Sequence, residues 1–304
     1  MTMHLSKLSK ISAACLILLS AGFALSGCIE RQDPILLLSA DEALEAGKQF
    51  LEQGKHFKAR RHLIHAFEVE PNSRTGREAL LLAADALYLQ GGTDNYIKCE
   101  AKYRDFLNRF PTSDKADYAQ FKVAACLAAR SERPDRDQKM TQAAIEALDE
   151  LLRLYPTSDY VAEAKQKMRE LTDQLAAHEL VVGKFYNRYG GVGICPAAIA
   201  RLEYLQENFP SYAGMDEVLL ELADAYEKCN RPADATESLA DLRRRFPESE
   251  YLAEAQKLEA EAAKNRLKRA EIMAAQAGKI AAEAAAAAQD KTEETDTSEA
   301  DHQG

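Results

Sequence analysis

A large apolar residue, a proline and a small polar residue recur together along the chain. The motif stands at Val69-Glu70-Pro71-Asn72-Ser73, Phe110-Pro111-Thr112-Ser113, Tyr155-Pro156-Thr157-Ser158, Phe209-Pro210-Ser211 and Phe246-Pro247-Glu248-Ser249. The prolines lie 40, 45, 54 and 37 residues apart, the spacing of stacked helical hairpins. Proline suits the end of a helix because it cannot continue one, and the hydroxyl residue after it can cap the next. Counting back from Pro71 gives Gly47, Phe50, Ala59, Leu63 and Ala66 at −24, −21, −12, −8 and −5. These are the small, aromatic, small, large and small positions of a tetratricopeptide hairpin. Ala223, Tyr226, Ala235, Leu239 and Leu242 fall at the same offsets from Pro247. Gly183 and Tyr186 give the first pair again, displaced by three residues, which the stretch Gly190-Gly191-Val192-Gly193 accounts for as a loop. Pro196 and Pro232 are expected at the starts of second helices. The pattern predicts an all-α chain: an α-solenoid of about five tetratricopeptide-like hairpins over 38–250, with an insertion, Ser131 to Lys139, inside the third.

From Tyr251 to Gln289 the apolar points thin out to Leu252, Leu258, Leu267 and Ile272 in an Ala/Glu/Lys/Arg background. One long helix is expected over 251–289, packed at its start and weakly amphipathic later. Residues 290–304 carry six acids and one lysine and are expected to be a disordered acidic tail. Low glycine (14) and proline (9) agree with an α-rich chain.

The N-terminus sets the compartment. Lys7 and Lys10 precede an apolar run from Ile11 to Leu25, closed by Leu25-Ser26-Gly27-Cys28. The run is a secretory signal, too short for a transmembrane helix. Its ending is similar to a bacterial lipobox, in which the peptidase cuts before the cysteine and the thiol carries a diacylglyceryl group. Residues 1–27 are therefore expected to be a lipoprotein signal peptide, Cys28 the lipidation site, and 28–37 a linker. Ile29 after the cysteine favours the outer membrane, on its periplasmic side. The mature chain retains 37 basic and 49 acidic residues, a net charge of −12. That acidity speaks against nucleic acid as a partner.

The chain resembles the BamD (ComL/YfiO) family, the tetratricopeptide lipoproteins of the outer-membrane β-barrel assembly machine. The most specific stretch is Leu175-Ala176-Ala177-His178-Glu179-Leu180-Val181-Val182-Gly183-Lys184-Phe185-Tyr186, continuing through Ala197-Ala198-Ile199-Ala200-Arg201 to Phe209-Pro210. Asp135-Arg136-Asp137-Gln138 in the insertion and Asp117-Tyr118 add to it. The resemblance covers Cys28 to about residue 250 and leaves the extension outside. It implies a scaffold and not an enzyme. Such proteins sit beside a BamA-like barrel and other assembly-machine lipoproteins, dock on the barrel's periplasmic domains through their C-terminal repeats, and receive unfolded outer-membrane proteins through their N-terminal ones. Arg201 is the partner-binding residue implied, its alternative being a solvated helix face. Phe50, Phe57 and Tyr88 either line an N-terminal groove or fill the hairpins. An adaptor of another envelope machine, a secretin pilotin or a Tol-associated coordinator, is the rival function. The tighter repeats of the one and the N-terminal coiled coil of the other are not seen.

Other candidate chemistry is sparse. Cys99, Cys126, Cys195 and Cys229 allow three disulfide pairings. The repeat register favours Cys99–Cys126 and Cys195–Cys229, each joining the start of one helix to the end of another in the adjacent repeat; four buried thiols are the alternative. His62 and His65 share a helix face with His56 nearby, but no further ligands accompany them, so no metal is expected. His178-Glu179 lacks the second histidine of a zinc-protease motif, since position 182 is valine. Gly190 to Gly193 is followed by Ile-Cys-Pro and not by the Gly-Lys-Ser/Thr of a phosphate loop. No Gly-x-Ser-x-Gly elbow occurs. No catalysis and no cofactor are expected.

Overall fold

The repeating proline turn has one geometry throughout. Phe110, Tyr155 and Phe246 close their helices with φ near −130° and ψ near 60°, outside the helical region that a following proline disfavours. The carbonyl of each then accepts the N–H three residues on: Ser113 to Phe110 at 3.1 Å, Ser158 to Tyr155 at 3.1 Å, Ser249 to Phe246 at 3.1 Å. The serine hydroxyl turns back to accept from the backbone N–H of Lys115, Tyr160 or Tyr251 at 3.1–3.2 Å. Ser73 instead caps the next helix in full, accepting from Gly76 N–H at 2.9 Å. The local chemistry of Pro-x-Ser thus stops one helix and starts the next with few unpaired backbone groups.

The computed structural model describes residues 33–189 and 191–300, the side chains of 191–192 and 285–300 excepted. The signal peptide and Cys28 lie outside the described residues. After a 3-10 turn at Pro34–Leu37, eleven helices follow among the described residues: α1 (Ala40–Glu52), α2 (His56–Val69), α3 (Arg74–Gln90), α4 (Thr93–Arg109), α5 (Ala116–Ala128), α6 (Lys139–Leu154), α7 (Val161–Tyr189), α8 (Gly191–Asn208), α9 (Met215–Lys228), α10 (Pro232–Arg245) and α11 (Leu252–Ala300). No strand occurs among them. The fold is an α-solenoid of five tetratricopeptide-like hairpins, α1/α2 to α9/α10, followed by a long helix. The chain divides into two compact units, the first ending at Ala119 and the second beginning at Gln120.

In the first unit α1 packs on α2, α2 on α3 and α3 on α4. Its core gathers Leu44, Ala59, Leu63, Ala66 and Ala83. A Cβ on Gly47 would stand 2.6 Å from Leu63, so the small and large positions of the repeat meet face to face. The α1/α2 turn needs Gly54 at φ +67°, from which Gly54 N–H reaches Leu51 O at 2.9 Å and Lys55 N–H reaches Phe50 O at 2.8 Å. Asp85 gathers the hydroxyls of Tyr103 and, at 2.6 Å, Tyr118.

The second unit repeats these solutions. A Cβ on Gly183 would stand 2.7 Å from Leu202, the same small-on-large contact. Asn230, at φ 57°, takes the place of Gly54, with Arg231 N–H on Tyr226 O at 2.8 Å. The core runs through Leu180, Leu202, Leu205, Leu219, Leu222 and Leu242 to Ala255 at the start of α11. Buried Asn187 of α7 donates to Glu221 and Asp224 of α9 at 2.8 and 2.9 Å and accepts from Lys228 at 3.0 Å. This polar cross-tie satisfies every hydrogen-bonding group of the amide.

Three features differ from the sequence reading. The glycine stretch was expected as a loop, but α8 already begins at Gly191 and Pro196 lies inside it. Pro196 is the sixth residue of α8, so the helix forgoes one i→i−4 hydrogen bond near its start. α11 does not stop at residue 289; it continues through the acidic segment to Ala300, because nothing between Gly278 and Ala300 is proline or glycine. Only 301–304 of the expected tail lie outside the described residues. Finally, the 38–250 solenoid divides into its two units within α5.

Candidate functional site

The insertion in the third hairpin is a built loop. Its organiser is Gln138, 6% exposed. Gln138 Nε2 donates to the carbonyls of Arg133 and Arg136 at 2.9 and 3.1 Å. Its Oε1 accepts from Thr141 Oγ1 at 2.9 Å and from Gln174 Nε2 of α7 at 3.1 Å. Gln174 also donates to the carbonyl of Glu132. His178 Nδ1 lies 2.6 Å from the carbonyl of Pro134. A carbonyl only accepts, so Nδ1 carries the proton. The loop is thereby tied to α7 at three points.

Beside this loop is a cavity of about 330 Å³, contained within the second unit. Leu175, Tyr204 and Phe209 form its apolar wall; Asp137, Gln138, Lys139 and Gln142 form one polar rim and His178 with Glu179 the other. Leu175, His178 and Glu179 share one face of α7 by their three- and four-residue spacing. Tyr204 is 47% exposed and meets Phe209 edge-on at 6.2 Å. The backbone N–H of Lys139 bonds Asp137 at 2.7 Å and holds its carboxyl below the usual carboxylate range.

Arg201 stands at the edge of this cavity, three residues before Tyr204 on α8. Its Nη1 donates to Glu179 Oε2 at 3.0 Å; the Arg201 side chain is 49% exposed and that of Glu179 14%. An ion pair this open adds little stability, about 0–1 kcal/mol. It holds the guanidinium in one orientation and leaves further N–H donors facing solvent. The site thus presents an apolar floor and an oriented cation. No group of three His, Cys, Asp or Glu among the described residues is placed to hold a metal ion.

The remaining sequence candidates are dispersed. Cys195 and Cys229 are joined in a disulfide with Cα atoms 5.7 Å apart, linking α8 to the end of α9. Cys99 and Cys126 are fully buried and are also oxidised. His65 is buried with Nε2 3.0 Å from the carbonyl of Leu38, and His62 Nδ1 is 2.9 Å from that of Lys58. Phe50 and Tyr88 are half-buried, packed on His62 and Tyr96 at 5.0 and 5.6 Å. Phe57 is exposed, with Arg60 over its ring. Sequence reasoning missed Gln174, Gln142 and Tyr204; for Tyr204 the signal was available, since it lies one turn from Arg201.

The sequence profile of the YfiO family, described as outer membrane lipoprotein, matches residues 38–237. The chain is 25% identical over 239 residues to the outer membrane protein assembly factor BamD of Caulobacter vibrioides, covering 77% of this chain and 76% of that protein. It is 26% identical to BamD of Haemophilus influenzae, over 73% of this chain and 87% of that one. It is 27% identical to BamD of Neisseria meningitidis serogroup A, over 79% and 94%. Among solved structures, the TPR2AB-domain:pHSP90 complex of yeast Sti1 matches with 16% identity and a TM-score of 0.42, over 76% of this chain and 86% of that one. The profile spans the five hairpins from α1 into α10, including the insertion and the Arg201 face, and the chain therefore belongs to the YfiO, or BamD, family of outer membrane lipoproteins.

Proposed function

We propose that this chain is a lipid-anchored scaffold on the periplasmic side of the outer membrane that helps β-barrel proteins fold and insert. Cys28 carries the anchor. The second unit binds a BamA-like barrel protein through the cavity edge at Arg201, and the first unit receives unfolded outer-membrane proteins. The protein acts by binding and carries out no chemistry of its own. The observation that supports this most is the convergence of two stretches distant in sequence. Asp137 and Gln138 from the one, and Leu175, His178 and Glu179 from the other, both segments that carry the family resemblance, line one cavity beside Arg201. Family membership, and relatives named as outer membrane protein assembly factors, point the same way.

The test is a detergent pull-down of the lipidated protein from its own membranes, read by mass spectrometry. A BamA-like barrel is expected as the dominant stoichiometric partner, with further assembly lipoproteins. Arg201→Leu is expected to weaken its capture at least about tenfold, since truncating one member of an interfacial charge pair costs about 2–5 kcal/mol. Recovery of a secretin or Tol proteins, or of no barrel protein, would overturn the proposal.

A further inference from the structure

α11 outruns the hairpins it starts on. Ala255 and Ala262 are buried. The last ties to the hairpins among the described residues are Arg266 to Glu227 at 2.5 Å and Arg269 to Asn230 at 3.4 Å. Every described side chain from Ala263 to Ala284 is exposed. Leu267, Met273 and Ile280 are 68%, 70% and 67% exposed, a high count of large apolar groups for a helix with no cover.

These residues are ordered. Leu267, Ala270, Ala274, Ala277, Ala281 and Ala284 alternate in steps of three and four, the spacing of a coiled-coil seam. Met273 and Ile280 flank that seam, each directly before one of its alanines; Ile272 lies off it. The charges are ordered as well. Lys264, Arg266, Lys268 and Arg269 form a block without an acid, whereas residues 290–296 hold four acids and one lysine. The two blocks lie at nearly equal distances on either side of residue 279.

We propose that the free part of α11 pairs antiparallel with the same helix of a second copy, about a two-fold axis near residue 279. In that register Ala274 faces the partner's Ala284 and Ala277 the partner's Ala281. The axis sets Ile280 close to the partner's Ile280. Lys264 comes opposite the partner's Glu294 and Lys268 opposite the partner's Asp290. A parallel pair would instead set like-charged blocks side by side, which opposes that arrangement. The small seam residues let the two backbones come close, and Leu267, Met273 and Ile280 gain cover. One isologous contact closes the pair, so the assembly stops at two. Its position lies beyond residue 237, where the family match ends, so it does not rest on the function proposed above.

The test is thiol cross-linking of the full lipidated protein in its own membranes. Ile280→Cys is expected to give a covalent dimer as the main product on a non-reducing gel. Leu267→Cys alone is expected to give none, because in this register the two copies of residue 267 lie about 36 Å apart along the pair, at 1.5 Å per residue. Mixing Leu267→Cys with Lys291→Cys is expected to restore the dimer. Lys264→Glu with Lys268→Glu should cut Ile280→Cys cross-linking at least about tenfold, and adding Asp290→Lys with Glu294→Lys should restore it. A monomer, or a cross-link to a different protein, would overturn the pairing. Equal dimer yields from Leu267→Cys and Ile280→Cys would overturn the antiparallel register.

Discussion

The Cys195–Cys229 bridge closes a loop across 34 residues of the second unit, and that length sets its worth. Chain-entropy reasoning gives a loss of unfolded-state freedom of about 3.8 kcal/mol at 25 °C for a loop of this size. Cys195 is buried early in α8, and Cys229 is the C-cap of α9, followed at once by left-handed Asn230. The bond therefore ties the start of α8 to the end of α9. Cys195→Ala with Cys229→Ala is expected to remove about 3–4 kcal/mol from the second unit alone. For a unit of this size that corresponds to a fall of about 8–15 °C in Tm. Calorimetry of the mature protein measures the shift, and amide hydrogen exchange of α8 and α9 assigns it to the second unit. The double variant is a cleaner perturbation than reductant, which would also attack Cys99 and Cys126. Equal transition temperatures for the variant and the parent, or lost protection confined to α1–α4, would refute the reasoning.

Two further outcomes are expected. Gly76→Ala places a Cβ 2.0 Å from the carbonyl oxygen of Glu70, a backbone atom that cannot swing aside; a loss of about 1–3 kcal/mol or more from the first unit is expected in urea unfolding, and an unchanged midpoint would contradict it. Burial above all, with Asp85, Glu203 and Glu217 as the respective acidic neighbours, raises the phenols of Tyr103, Tyr226 and Tyr251, the last to about 12. The folded state therefore keeps protons that the unfolded chain releases near pH 10, so stability is intact below that pH and falls as pH rises above it. With 12 tyrosines and no tryptophan, absorbance at 295 nm follows the titration cleanly. Part of the tyrosinate signal should appear only as the helices melt; complete ionisation with helicity retained would contradict this.

The hairpins were legible because their determinants are local. Proline followed two residues later by serine forms the same turn wherever it occurs, and the small position at −24 meets the large one at −8, as Gly47 and Leu63 do. Both signals depend only on residue type and spacing. The insertion is different. Asp135–Gln138 stood out as a motif, yet nothing in it identified Gln138 as the member that matters. That role depends on Gln174, 36 residues away, and on two carbonyls whose positions no spacing rule gives. Asn187 was silent for the same reason: its partners lie on α9, and an asparagine within a helix carries no mark of what its amide will meet. The length of α11 was misjudged because a run of acids and threonines suggests solvation, whereas the absence of helix breakers decides whether the backbone remains helical.

The site's character follows from how its parts are restrained. Gln138 is buried with its amide bonded on both sides, and the loop it holds is pinned to α7 through Gln174 and His178. A rim held in this way loses little freedom when a partner arrives, which removes one of the main costs of association. Arg201 is restrained by a single carboxylate while half of its side chain remains in water, so its remaining donors are aimed but unspent. Tyr204 and Phe209 add aromatic area beside that cation, a combination enriched at the energetic centres of protein interfaces. Asp137, an exposed carboxyl pushed toward its charged form by the backbone N–H of Lys139, adds a fixed negative charge to the rim. Rigid rim, oriented cation and aromatic floor are the features on which the proposed recognition of another protein rests.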